Sequence, residues 1–219
     1  MSNRFQFFFL LVSLHCATTS PLRQMLLDTT HHLLDCQHRA IVQRNRTITI
    51  TALFVIAIRT FLFTPISVEG ASMMPTYEDG DRIIVNKIGK TINGFERFDI
   101  VVFKATESEN YIKRIIGLPG DHIEYKNDVL YINGEKYEEP YLEQYKLQLK
   151  DKGDLTYDFT LEEITDLSHI PEGYYLVLGD NRRISNDSRN PGVGLIPTNK
   201  ILGKTNIRFY PLESIGLVK

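Results

Sequence analysis

The chain has 219 residues and 42% hydrophobic residues, an ordinary content for a globular protein, which excludes intrinsic disorder as its main state. Its formal net charge of −2 gives no sign of nucleic acid as a partner. The charge is unevenly distributed, because residues 1–46 carry five Arg and two acidic residues, whereas residues 64–219 carry 19 basic and 25 acidic residues. Both cysteines lie in residues 1–46, which excludes a disulfide framework, a cysteine nucleophile and a thiolate metal site from the remainder.

Residues 1–46 are interpreted as an N-terminal tail without a catalytic role. Within it, residues 5–17 form an apolar run behind Arg4 that is typical of a signal-peptide core but is short for a membrane span. Cleavage after this run would leave the downstream arginines outside the membrane, against the positive-inside rule. The alternatives are a second, shallow apolar segment and a start of translation upstream of the true start.

Residues 47–66 predict a single transmembrane anchor. The segment has 20 residues with one charge, Arg59, and at about 1.5 Å per residue a helix of this length crosses a hydrocarbon core of about 30 Å. Pro65 is expected to end the helix. Arginines precede the segment and acidic residues follow it, which predicts a cytoplasmic N-terminus and an external remainder. The alternative is a buried core helix.

Residues 67–219 are predicted to form a mostly-β domain, because short β-branched and aromatic runs alternate with turn formers that are too closely spaced for crossover helices. Asn133-Gly134 predicts a hairpin. A capping box from Thr160 to Glu163 predicts one helix start, inside a polar excursion from the sheet at about residues 142–170. The predicted strands are 82–86, 99–104, 111–116, 122–125, 129–132, 174–178 and 204–209.

Three segments contain residues that a packing argument does not require. They are residues 70–76, just after the predicted anchor, residues 113–121 and residues 179–189. Taken alone, each has a simple structural explanation: Ser72 as a turn serine, Lys113 as an exposed strand lysine, and the third segment as a polar loop held by its own Asp and Asn side chains.

Together and in this order, the segments resemble the type I (leader) signal peptidases of bacteria, over about residue 47 to the C-terminus. The resemblance implies a coiled antiparallel β-sheet catalytic domain after one membrane anchor. The matching stretches are Ser-Met-Met-Pro-Thr at 72–76, Gly-Asp-Arg-Ile-Ile-Val-Asn-Lys at 80–87, Lys-Arg through Pro-Gly-Asp at 113–121, and Gly-Asp-Asn-Arg through Asp-Ser-Arg at 179–189. They contain the motif residues Met73, Pro75, Gly179, Asp180, Asn181 and Arg182.

The resemblance implies a catalytic dyad in which Ser72 is the nucleophile and Lys113 is its general base. An ordinary lysine has a pKa near about 10.4 and is protonated at neutral pH, so that such a base has to be buried to lose its proton. Lys87 and Lys104 lie in similar strand contexts, and it is the resemblance that selects Lys113.

The third segment is expected to support the dyad. By resemblance, Ser185 hydrogen-bonds to the amine of the base and orients it, while Asp187 and Arg189 form an ion pair that keeps the site in shape. The backbone N–H of Ser72 is the natural donor to the oxyanion. Some relatives carry a serine two residues before the nucleophile as a second donor, but here that position is Gly70, which has no side-chain donor.

The function implied is that of a membrane-anchored serine endopeptidase that removes signal peptides from exported preproteins, after small residues such as Ala at positions −1 and −3. The resemblance also implies the lipid bilayer as a partner, proximity to the secretion translocon, and no nucleic acid, metal or organic cofactor. The expected location is the cell membrane, with a single pass, a cytoplasmic N-terminus and an extracytoplasmic active site.

Two alternatives to this function remain at the level of sequence. One is an inactive, membrane-anchored β-domain that serves as a binding module. The other is a self-cleaving serine–lysine peptidase like the repressors of the SOS response, although these carry a DNA-binding domain where this chain has its apolar segment.

Overall fold

A computed structural model describes residues 21–88, 94–149 and 153–218, without the side chains of residues 21–36, 58, 60 and 61. The apolar run at residues 5–17 lies outside these ranges. The chain divides into two compact units, Met1–Ile56 and Ala57–Lys219. Most of the first unit that is described belongs to one long helix, α1, which runs from Pro21 to Phe61.

The far end of the predicted anchor is not helical. Helix α1 ends at Phe61, and β1 (Phe63–Ser67) follows almost at once, so that Pro65 lies in a strand and does not end the helix. The prediction of a helix to residue 66 is wrong there because β1 pairs along its whole length with β2 (Arg82–Asn86), a non-local contact. Strand β1 is at the edge of its sheet, where proline is tolerated. Within the described residues, none of the helices combines the length and the apolar character that crossing a membrane requires.

The second unit contains two antiparallel sheets, as the mostly-β prediction requires. The larger sheet has the order β1-β2-β11-β3-β4-β9-β10, and β12 also pairs with β11. Its remaining strands are β3 (Ile100–Lys104), β4 (Asn110–Gly117), β9 (Tyr174–Leu178), β10 (Ile196–Pro197), β11 (Ile201–Tyr210) and β12 (Gly216–Leu217). Short 3₁₀ helices at Thr198–Lys200 and Leu212–Ser214 flank β11.

The smaller sheet has the order β7-β6-β5-β8 and carries two short helices. The predicted hairpin at Asn133-Gly134 is confirmed, since both residues have the positive φ that a tight two-residue turn requires. The capping box is also confirmed, with the Thr160 hydroxyl accepting from the Glu163 N–H. The elements are β5 (Ile123–Lys126), β6 (Val129–Ile132), β7 (Glu135–Tyr137), α2 (Pro140–Gln148), β8 (Phe159–Thr160) and α3 (Leu161–Thr165).

Each of the seven predicted strands is present, and six of them agree with the structure to within one residue at each end. The polar excursion at residues 142–170 contains most of α2, β8 and α3. Helix α2 was not predicted because its sequence carries almost no apolar stripe: Leu142 is its one buried residue.

The core beneath the larger sheet fixes the segment that follows β1. Met73 and Tyr77 pack in one buried cluster with residues from β2, β3 and β4. Val68 and Asp81 close the base of the intervening loop, because the Val68 N–H donates to the Asp81 carbonyl at 2.7 Å. The loop that carries Ser72 is therefore pinned to the sheet from below. The cluster contains Val68, Met73, Tyr77, Ile83, Val85, Ile100, Val102 and Ile112.

Candidate active site

Ser72 lies in the loop between β1 and β2, one residue before the buried Met73. At Gly70 the backbone has φ = +84°, a conformation that favours glycine, and the Gly70 N–H donates to the Asp79 carboxylate at 2.7 Å. This bond occupies the Gly70 N–H. The Ser72 N–H, in contrast, donates to no group in the described part of the chain, so that it is free to meet an oxyanion.

Lys113 lies in the middle of β4 and is 3% exposed. Its Nζ is 2.7 Å from the Ser72 Oγ, which is hydrogen-bond distance. Burial lowers the pKa of Lys113 to about 8, against smaller opposing effects of Asp187 and Asp180, both of which favour the charged ammonium. The structure thus brings together a hydroxyl nucleophile and an amine that loses its proton near neutral pH. The rival Lys104 is exposed at the end of β3.

Asp187 and Arg189 form the expected ion pair, and it is buried. Two parallel hydrogen bonds of 2.8 Å join the Arg189 Nε and Nη2 to the two carboxylate oxygens of Asp187. The same carboxylate accepts from the Gly179 N–H at 3.0 Å. Because these groups are shielded from water, the pair is not the weak surface bridge that the sequence also allowed.

The expected hydrogen bond from Ser185 to the Lys113 amine is not present. The Ser185 Oγ is buried and has no hydrogen-bond partner among the described residues. It packs instead against Gly179, where an added Cβ would overlap both the Ser185 Oγ and the carbonyl oxygen of Ser72. The expectation fails here because the Ser185 side chain fills the space that Gly179 leaves open next to the nucleophile's backbone.

Residues 180–181 hold the nucleophile's backbone in place, a function that the sequence did not reveal. The Asn181 N–H donates to the Ser72 carbonyl at 3.1 Å, and its Nδ2 donates to the Ala71 carbonyl at the same distance. Asp180 pairs with Arg114 through two buried hydrogen bonds of 2.9 and 2.7 Å. The motifs that carry these residues pointed to the loop, but their contacts are made over more than 60 residues of sequence.

The remaining motif residues have different surroundings. Pro75 is exposed in the loop after Ser72, and Arg182 is buried in the smaller sheet's direction, with its Nη2 donating to Glu139. Met73 packs in the core, so of the two roles open to it, core packing and an apolar surface, the structure shows the first.

A cleft of about 550 Å³ leads to the Ser72–Lys113 pair. One wall is the chain from Ile66 to Met73, and the other is the start of β4 from Asn110 to Lys113, with Ile184 and Asn186 at the rim. Strand β4 pairs with β9 only from Arg114 onward, so the first half of β4 has no neighbour on that side among the described strands. Nowhere in residues 21–88, 94–149 and 153–218 do three or more His, Cys, Asp or Glu side chains group as they would to hold a metal ion.

Comparison with known proteins agrees with this arrangement. The family model described as signal peptidase, peptidase S26, matches residues 41–210. Signal peptidase I of Bacillus caldolyticus is 51% identical over 162 residues, 74% of this chain and 87% of that protein. Signal peptidase IB of Staphylococcus aureus (strain Mu50) is 45% identical over 172 residues, 76% of this chain and 88% of that protein.

Among solved structures, the crystal structure of a signal peptidase I from Enterococcus faecalis V583 is 42% identical, covering 52% of this chain and 98% of that chain with a TM-score of 0.48. The family match extends over most of the second unit and includes every residue of the site described above. The chain therefore belongs to the signal peptidase family, peptidase S26.

Proposed function

We propose that this signal peptidase removes signal peptides from exported preproteins by means of a dyad in which Ser72 is the nucleophile and Lys113 is the general base. The observation that carries the proposal is the 2.7 Å distance between the Lys113 Nζ and the Ser72 Oγ at a site where the lysine is almost completely buried. With a pKa of about 8, roughly a tenth of the lysine is neutral at pH 7 and can accept a proton.

The reaction follows from this geometry in two half-reactions. The neutral Lys113 takes the hydroxyl proton as the Ser72 Oγ attacks the scissile carbonyl, and it then gives that proton to the leaving amine. The signal peptide is left as an ester on Ser72. Lys113 next takes a proton from a water molecule, which attacks the ester and restores the free serine. The Ser72 N–H donates to the oxyanion in both steps.

The buried contacts of the 179–189 loop support this assignment, because they keep the reacting groups from shifting. Asn181 fixes the backbone on either side of the nucleophile, and the Asp187–Arg189 pair sits where its carboxylate acts electrostatically on Lys113. Misplacement of such groups by about 1 Å costs on the order of 100-fold in rate.

The cleft supports an extended substrate with small side chains. The chain after β1 and the first half of β4 offer main-chain groups to a peptide lying between them, as in β-strand addition. Val68 and Ile112 contribute apolar walls close to the nucleophile. We infer that small residues such as Ala at positions −1 and −3 fit against these walls.

We further propose that the apolar part of α1, from residue 47, anchors the enzyme in the cell membrane, with residues 1–46 in the cytoplasm and the second unit outside. Several large apolar side chains of α1 are at least half exposed, and no described part of the protein covers them. Arg39, Arg44 and Arg46 precede this stretch, which supports a cytoplasmic N-terminus. This location puts the enzyme near the secretion translocon, where signal peptides emerge. The exposed residues are Ile48, Ile50, Leu53, Phe54, Val55 and Ile56.

Cleavage of a preprotein by the detergent-solubilised full chain tests the dyad. Ser72→Ala and Lys113→Met are each expected to abolish release of the mature protein, since one removes the attacking oxygen and the other its proton acceptor. The double variant is expected to be scarcely worse than either single variant, because the two residues act as a unit. Lys113→Arg also fails, because a guanidinium stays protonated. The readout is the amount and the N-terminal sequence of the product.

Lys104→Met is the matched control and is expected to cleave like the wild type, because Lys104 is an exposed strand lysine away from the cleft. An active Lys113→Met protein would move the base to another residue. A wild-type protein that binds preproteins without cutting them would favour the binding module, and one that cuts only its own chain would favour the self-cleaving peptidase.

A further inference from the structure

The smaller sheet reaches the active site through one buried ionic cluster. Arg182 points into it, and its Nη2 donates to the Glu139 carboxylate at 2.5 Å. Tyr125 and Tyr141 donate to the same carboxylate oxygen at 2.9 and 2.6 Å. The Arg182 Nη1 also donates to the Tyr125 hydroxyl at 2.8 Å and to the Thr156 hydroxyl at 3.2 Å. Only Arg182 belongs to a segment that the sequence singled out.

From Arg182 the contacts continue into the loop that flanks the catalytic pair. The Arg182 Nε donates to the Gly179 carbonyl at 3.0 Å, and the Arg182 carbonyl accepts from the Arg189 Nη2 at 2.7 Å. Arg189 and the Gly179 N–H both bind Asp187, whose charge acts on Lys113. The cluster is thus joined to the base by a continuous series of buried hydrogen bonds.

Glu139 supplies the one carboxylate that faces the Arg182 guanidinium in this cluster. The side chains of Arg182 and Glu139 are 0% and 4% exposed, so neither charge is stabilised by water. Burial alone would raise the pKa of Glu139, but the Arg182 charge and the hydrogen bonds outweigh it and hold the pKa below its ordinary value. Glu139 is therefore ionised at neutral pH, and its loss leaves an uncompensated buried guanidinium.

We propose that Glu139 is a positioning residue of the active site, which acts through Arg182 to hold the 179–189 loop against the base. The inference rests on the proposed Ser72–Lys113 dyad. Glu139 lies between β7 and α2, in the smaller sheet's part of the fold, and does not line the cleft. Its effect on the reaction is therefore indirect.

Two consequences distinguish this role from a contribution to folding alone. Without the Glu139 charge, Arg182 turns to other acceptors and the loop loosens, which admits water to Lys113 and raises its pKa toward the ordinary value. The loss of rate is then larger at pH 7 than at pH 9.5. Substrate binding is little changed, because the cleft walls belong to β4 and to the chain after β1.

The test compares Glu139→Gln with Glu138→Gln, a matched control at the exposed neighbouring position. kcat and KM for a preprotein are measured from pH 6 to pH 10 below the melting temperature and are expressed per folded molecule. Glu139→Gln is expected to lower kcat at pH 7 by about tenfold, to leave KM within about twofold, and to move the midpoint of the pH profile upward. Glu138→Gln is expected to match the wild type.

A lower melting temperature with an unchanged kcat and midpoint would overturn the proposal, since Glu139 would then serve folding alone. If Glu139→Gln does not fold, Tyr141→Phe removes only the hydroxyl bonds to Glu139 and Arg182. It is expected to move kcat and the midpoint in the same direction by a smaller amount, and an unchanged profile would likewise overturn the proposal. The dyad fails independently, if Ser72→Ala or Lys113→Met remains active.

Discussion

Lys113 combines a chemical advantage with a cost in stability. Its pKa of about 8 in the folded protein lies below the value of about 10.4 expected in the unfolded chain. Below pH 8 the lysine is charged in both states, and the buried ammonium destabilises the folded state by up to about 3 kcal/mol. Between pH 8 and pH 10.5 the unfolded state binds more protons, so that the cost falls as the pH rises.

Replacement of Lys113 by methionine is therefore expected to stabilise the protein at pH 7. Met retains most of the lysine stem's volume without the charge, and the gain is at most about 3 kcal/mol, reduced by loss of the bond to Ser72. The gain is expected to shrink toward zero by pH 10.5. Urea unfolding at the two pH values measures it, with Lys104→Met as the control that shows no such pH dependence. A Lys113→Met protein that is equally destabilised at both pH values would contradict the assigned burial and pKa.

At this scale the sequence predicts the identity of the reacting residues better than their contacts. Alternation along a strand cannot distinguish Lys113 from Lys87 or Lys104, and only the family resemblance selected it. The Ser185 hydrogen bond was expected by the same resemblance, but the side chain packs against Gly179 instead. The bonds of Asn181 to Ser72 and Ala71 join positions about 110 residues apart, which no local pattern encodes.

Among the elements, β11 is the strand on which the larger sheet depends most. It pairs with β2, β3 and β12, and its register with β3 shifts between Ile201 and Gly203. At Gly203 the backbone of β2 comes so close that an added Cβ would overlap the Asn86 carbonyl oxygen. The obstacle is backbone, which cannot move without opening the sheet.

Gly203→Ala is accordingly expected to destabilise the protein by more than about 2 kcal/mol, since the added methyl separates β11 from β2. Gly216→Ala in β12 is the matched control, because a Cβ there meets no atom within 4 Å, and its effect is expected to stay within about 0.5 kcal/mol. Thermal or urea unfolding of the two variants measures the difference. Equal stabilities would mean that the close approach of β2 and β11 is absent.

Elements were predictable where the local signal and the tertiary structure agree. The hairpin at Asn133-Gly134 and the capping box of α3 each depend on a few adjacent residues, and both are confirmed. Helix α2 buries too few apolar residues to show a helical period. The end of α1 was misplaced because the pairing of β1 with β2, about 20 residues away, overrides the apolar run.

At the scale of the whole molecule, the proposed topology makes a prediction of its own. In intact cells, protease added outside is expected to digest the chain beyond residue 67 while sparing an epitope placed before residue 47. Permeabilised cells are the control, in which both parts are digested. Protection of the C-terminal part in intact cells would contradict an extracytoplasmic active site.

The two sheets together explain how one lysine becomes a base. The larger sheet buries Lys113 beside Ser72, and the smaller sheet holds the loop that closes the site through Arg182. The sequence predicted a mostly-β domain and, through its motifs, the family to which the chain belongs. It did not predict that the second sheet contributes to the site, because Glu139 lies in none of the motifs.

The most direct test of the account is the dependence of kcat/KM for preprotein cleavage on pH in the wild-type enzyme. A buried Lys113 that acts as the base predicts a rate that rises about tenfold per pH unit at low pH and levels off above a midpoint near pH 8. A rate that is constant from pH 6 to pH 10, or that rises only toward the pKa of an ordinary lysine, would contradict the claim that a neutral Lys113 activates Ser72.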